Sequence, residues 1–187
     1  HLFEQAGWQK LEGFWVEGIT KAVSDLGNST TPISTRYLFG RSQDFAYQGG
    51  DSTIDHRHHI RLWKEQSPDG TLVYYATASY DRMIGFAPLK FLFKPTHIIA
   101  PNIDDERDLL GGVFASHSPK MTTYYVTNLL PKLFRSNGNN AWFYTDGDVL
   151  VFTGENATKR GLTMLQKAKH GYFHFLSYPL KLVNIAQ

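Results

Sequence analysis

The chain contains no cysteine. Disulfides, thiolate metal ligands and cysteine nucleophiles are excluded together, and so is the usual clue to redox compartment. A long hydrophobic run is lacking too. The longest apolar stretch, Ile84 to Ala100, is broken by Pro88, Lys90, Lys94 and Pro95, whereas a spanning helix needs about 20 apolar residues in succession. Nor is there an excess of one charge: 19 Lys and Arg stand against 17 Asp and Glu, for a net +2. No Lys/Arg cluster accompanies it, so nucleic acid is not an expected partner. No internal repeat and no low-complexity tract occurs. Ahead of the first Gly there is no cationic n-region followed by an apolar h-region, and the chain opens on His1; the expectation is a cut fragment or a processed chain. His1 itself could chelate copper through a free amine, but a tag remnant or truncation point is the simpler reading.

What is present is a chain of 187 residues, enough for one domain, or one domain with an extension. Such a chain buries roughly 70% of its unfolded surface and needs no staple. Its aromatics, 13 Phe, 10 Tyr and 4 Trp, favour a β-rich core. Residues 2–10 read as a helix end stopped at Gly7. A short helix fits Trp15 to Val23, and Tyr37 to Tyr47 reads as a strand bulged at Gly40. Residues 56–64 and 72–80 predict a hairpin across Ser67-Pro68-Asp69-Gly70. Further strands are expected at 91–99 and 121–128, and a helix from Asn102 or Asp104 to about Phe114, ended or loosened by Gly111-Gly112. Residues 141–145 and 149–153 predict a tight hairpin across Asp146-Gly147, and Thr158 to His170 a helix. The expected class is α+β: a mixed or antiparallel sheet of about six strands with two or three flanking helices. Residues 1–154 form the domain, and 155–187 an extension packed on it.

The densest chemistry lies in Asp55-His56-Arg57-His58-His59-Ile60-Arg61-Leu62-Trp63. Strand alternation puts His56, His58, Ile60 and Leu62 on one face and Arg57, His59, Arg61 and Trp63 on the other. Setting Glu65 opposite Gly70 pairs Ile60 with Tyr75, His58 with Thr77 and His56 with Ser79, with Asp81 just beyond; a one-residue slip would exchange the partners.

Three readings follow. A divalent metal could be held by His56 and His58, two apart on a strand, with Asp81, His97 or Asp104 completing the shell. An anion could be held by the guanidinium forks of Arg41, Arg57, Arg61, Arg82 and Arg107, with His59 or His97 as proton donor. Alternatively these groups satisfy one another, Arg107 pairing with Asp44 or Asp81. The acids of Asp104-Asp105-Glu106-Arg107-Asp108 suit a helix N-terminus, and Glu106 or Asp108 would also serve as general base. Ile84 to Lys94 alternates aromatics with lysine, either as a packed strand or as a membrane-surface contact.

Several landmarks together resemble the LssY C-terminal domain family: Ala6-Gly7-Trp8, Pro32-Ile33-Ser34, Tyr37 to Ala46, Arg57 to Trp63, Ala76 to Asp81, Thr96 to Ile99, Asp104 to Asp108 and Tyr144 to Gly147. The resemblance covers residues 2–153. It implies attachment to multi-spanning membrane modules, of the type-2 phosphatidic acid phosphatase-like or DedA-like kind, in bacteria. It carries no biochemical role for the domain itself, and the aromatic, basic stretch 83–93 departs from it.

The leading expectation is an accessory ligand-binding or regulatory domain of a membrane-associated bacterial protein. It would recognise a phosphate or phospholipid head group through Arg41, Asp44, His59, Arg61 and Arg107. The alternatives are a metal-dependent phosphoester hydrolase, with His56, His58 and Asp81 on the ion and Glu106 or His97 in catalysis, and a protein-interaction module built on Phe86–Phe93.

Overall fold

The computed structural model describes residues 2–11, 33, 35–38, 40–49, 51–53, 55–66, 72–89, 92–118, 120, 122–136 and 141–153. Helix α1 (Leu2–Gln5) stops where expected, because Gly7 takes φ +80°, a left-handed conformation that costs glycine little. Strand β1 (Gln9–Lys10) follows. The stretch from Tyr37 is not one bulged strand. Gly40, at φ +77°, reverses the chain between β2 (Tyr37–Leu38) and β3 (Arg41–Ser42), which pair antiparallel. Strand β4 (Phe45–Gln48) then enters the main sheet beside β5 (Arg57–Gln66).

Strands β6 (Leu72–Leu89) and β7 (Leu92–Ile99) complete an antiparallel sheet of five strands, in the order β1-β4-β5-β6-β7. The β5–β6 register runs from Arg57 opposite Asp81 to Gln66 opposite Leu72. This corrects the expected register by three residues. His58 faces Tyr80 rather than Thr77, and His59 faces Ser79. An odd shift exchanges faces, so Ser79 and Asp81 join Arg57, His59 and Arg61 instead of His56 and His58.

The face carrying Ile60 and Leu62 is the apolar one. Phe3, Trp8, Tyr47 and Leu110 bury it, with Phe3 stacked on Tyr47 at 4.9 Å between ring centroids. Leu110 belongs to α2 (Asp104–His117), which begins as expected but runs through Gly111-Gly112 rather than ending there. Gly111 is buried, and a Cβ there would meet Leu150 Cδ2 at 3.0 Å, so glycine lets β11 approach the helix closely. On the far side of α2 lies a ribbon of β8 (Thr122–Val126) and β11 (Val149–Thr153), joined to the helix by Phe114 against Phe152 at 4.1 Å.

The Asp146-Gly147 hairpin does not form. Strand β10 (Trp142–Thr145) pairs with β9 (Leu133–Ser136), and β11 pairs with β8. Asp146 is claimed instead by α2: its N–H donates to Asp104 at 2.7 Å and its carboxylate accepts from Arg107 at 2.7 Å. The fold is thus sheet-rich, with one main sheet and three two-stranded ribbons, and two helices among the described residues. Neither is long and apolar enough to cross a membrane. The helices expected at 15–23 and 158–170, and the extension 155–187, lie outside the described residues.

Candidate functional site

Strand alternation delivers two different sites from one strand. On the polar face of β5, Arg57, His59 and Arg61 are all buried, with Asp81 from β6. Arg57 grips Asp81 through both Nε (3.2 Å) and Nη2 (3.0 Å), each donating to Oδ2. His59 lies between the two arginines along the strand, about 7 Å from each by strand geometry. Its Nε2 shares a 2.9 Å hydrogen bond with Ser79 Oγ. Its Nδ1 points at Asp81 Oδ2 from 3.5 Å, is buried, and makes no hydrogen bond. His97 of β7 reaches the same carboxylate at 3.9 Å from the sheet edge, and is 27% exposed.

Electrostatics follow from this crowding. Burial, then the charges of Arg61 and Arg57, hold the His59 pKa well below its ordinary value, so it is a neutral imidazole. Arg61 is pushed down to about 9 by burial and by Arg36, with Asp81 opposing and Arg57 adding to the depression. A guanidinium that is costly to charge in its surroundings marks a place where an added anion would be welcome.

On the opposite face His58 meets the helix. Its Nδ1 lies 2.8 and 3.0 Å from the two carboxylate oxygens of Glu106, which is buried in the first turn of α2. Tyr80 packs beside the imidazole at 4.4 Å. The Glu106 hydrogen bond raises the His58 pKa against the opposing effect of burial, and the charges of Glu106 and Asp51 add to the rise. Two clefts open here, of about 340 Å³ between His58, Asp51, Trp8 and Leu109 and about 230 Å³ between His58, Tyr80 and Asp105.

The remaining sequence candidates fall elsewhere. Arg41 is held at the rim by Asp44 at 2.6 Å, by Glu65 at 3.1 Å and by the Lys64 carbonyl. Arg107 pairs with Asp146, Asp108 and Asp104, not with Asp44 or Asp81, so neither it nor Arg41 converges on Arg61. His56 pairs with Asp55 at 3.1 Å, and Asp81 lies on the other face from His58; the metal set His56, His58 and Asp81 is therefore not assembled. Among the described residues no three His, Asp or Glu come together to hold an ion. Glu106 and His97 end up on separate faces, against His58 and Asp81. The sequence reading left Arg57 out of the leading set, although its place two residues before His59 was visible, and missed Ser79, which only the true register reveals.

A family model of the LssY C-terminus matches residues 1–149. The chain belongs to the LssY C-terminal domain family. No curated protein and no solved structure matches it. Both faces of β5, with the cationic cluster and the His58–Glu106 pair, fall inside the LssY C-terminal segment, as does α2.

Proposed function

We propose that this LssY C-terminal domain is the ligand-recognising part of a membrane-associated bacterial protein, and that its ligand carries a phosphate. The site is the polar face of β5 and β6: Arg57, Arg61, His59 and His97 around Asp81. The observation that carries this reading is His59 Nδ1, a buried polar atom without a hydrogen bond in a neighbourhood that disfavours positive charge at Arg61. A buried polar group left unmade costs about 1–3 kcal/mol. A phosphate oxygen accepting from a guanidinium fork would supply the missing negative charge, and closing on it would bring Nδ1–H onto Asp81 Oδ2, 3.5 Å away. Relative to the expectation from sequence, Arg41, Asp44 and Arg107 leave the site and Arg57 enters it. A phospholipid head group and a free phosphate offer the same chemistry.

Titration calorimetry with inorganic phosphate and glycerol 3-phosphate tests this, alongside flotation with vesicles of phosphatidic acid or phosphatidylcholine. Binding should weaken about tenfold or more in Arg61→Gln, the equivalent of one lost charge-assisted hydrogen bond, and stay unchanged in Arg41→Ala. Retention by phosphatidic acid vesicles, without binding of either soluble phosphate, would assign the head group. If neither phosphates nor vesicles bind, and the His59 ring resonances do not move on adding phosphate, the reading fails.

A further inference from the structure

The line of polar groups through the cationic face is more than a binding arrangement. Ser79 Oγ lies 2.9 Å from His59 Nε2. His59 Nδ1 lies 3.5 Å from Asp81 Oδ2. Arg57 fixes that carboxylate with two donors. Hydroxyl, imidazole and carboxylate in series are the parts of an activated serine nucleophile, recognised by geometry and not by order along the chain. The long second contact is of the kind that tightens when substrate binds. With Nδ1 carrying the proton toward Asp81, Nε2 is the acceptor for the Ser79 hydroxyl.

We propose that this face is a hydrolytic centre for phosphate monoesters, with Ser79 as nucleophile, His59 as general base and acid, and Asp81 as its positioning residue. The inference rests on the phosphate-binding reading above. Ser79 Oγ attacks phosphorus as its proton passes to His59 Nε2. The P–O bond to the alcohol breaks, and the departing oxygen takes that proton, leaving phosphoserine and a free alcohol. Water then attacks phosphorus and gives a proton to Nε2. The P–Oγ bond breaks, the proton returns to Ser79, and inorganic phosphate leaves. Water is the sole co-reactant. Arg57 and Arg61, on either side of His59 along the strand, face the charge on the transferring group. His59 is a neutral imidazole with its Nε2 lone pair toward Ser79, and the negative charge of a bound phosphate offsets the loss of basicity that burial and the arginines impose. Ser79 is half-buried and His97 reaches solvent, so the line is not sealed.

The test uses the full 187-residue chain with p-nitrophenyl phosphate and glycerol 3-phosphate, acid quenching and peptide mass spectrometry, and inorganic phosphate calorimetry in parallel. The expected result is turnover with a phosphoryl group trapped on Ser79. Ser79→Ala should lose turnover and label while still binding inorganic phosphate. Asp81→Asn should lower turnover about a hundredfold, the scale of a disabled general base. Should either variant unfold, the wild-type label alone decides, because it needs no mutant. Phosphate bound without turnover or label overturns the hydrolytic centre and leaves the binding reading standing. Label on another serine also overturns it. Absence of binding to inorganic phosphate, glycerol 3-phosphate and phosphatidic acid vesicles alike in the wild type, with no label, removes both.

Discussion

Arg41 and Arg57 differ in worth, and burial sets the difference. Arg41 sits at the rim with Asp44 and Glu65, where exposed pairs contribute about 0–1 kcal/mol. Arg57 and Asp81 are both buried, and removing one partner of such a pair typically costs about 3–5 kcal/mol by stranding the other. Urea denaturation should therefore show Arg57→Ala losing about 3–5 kcal/mol and Arg41→Ala less than about 1; equal losses would mean that the Arg57–Asp81 pair is not buried as described. Residue types alone could not separate them. Both precede plausible acids in the sequence, and Asp81 was equally eligible for His56, His58 or Arg107. What distinguishes them is which side of the sheet each occupies, a property of pairing rather than of composition.

At the scale of elements, alternation within β5 was legible because period 2 is a local property. The faces assigned to His58, His59, Ile60 and Arg61 hold in the fold. The partner strand was not legible. Ser67-Pro68-Asp69-Gly70 announces a reversal, yet the register depends on which residues flank it, and an odd error moves every residue of β6 to the wrong face. The same limit defeated the Asp146-Gly147 hairpin. A strong local turn signal was outweighed by distant partners, Asp104 and Arg107 on α2, and by the pairing of β10 and β11 with earlier strands. Gly147 is still required there, for a different reason. It sits at φ +80°, and a Cβ would lie 2.1 Å from the Leu130 carbonyl oxygen. Gly147→Ala should cost more than the roughly 1 kcal/mol of an ordinary left-handed position, because backbone must move. Thermal melting would check it, and a neutral substitution would show that the Leu130–Gly147 approach is loose.

Over the whole molecule, consecutive histidines on opposite faces of one sheet make stability depend on pH in both directions. His58, raised by Glu106, holds more protons folded than unfolded. Its contribution is complete below the unfolded value near 6.5 and is lost as pH rises through the higher folded value. His59, depressed by burial beside Arg61 and Arg57, does the reverse. The unfolded chain takes up a proton that the folded one refuses, so stability falls as pH drops below about 6.5. These two residues therefore place a maximum near pH 6.5, with an alkaline limb belonging to the helix-covered face and an acid limb to the cationic one. Melting temperature against pH measures both limbs in one experiment. Glu106→Gln should lower the maximum and flatten the alkaline limb while leaving the acid limb; His59→Gln should flatten the acid limb alone. Bound phosphate adds a distinguishing signature. It should lift the acid limb most, since protonation of His59 is what an anion on that face would favour. Should phosphate shift the alkaline limb instead, the anion would lie on the His58 side, and the division of labour between the two faces would have to be reversed.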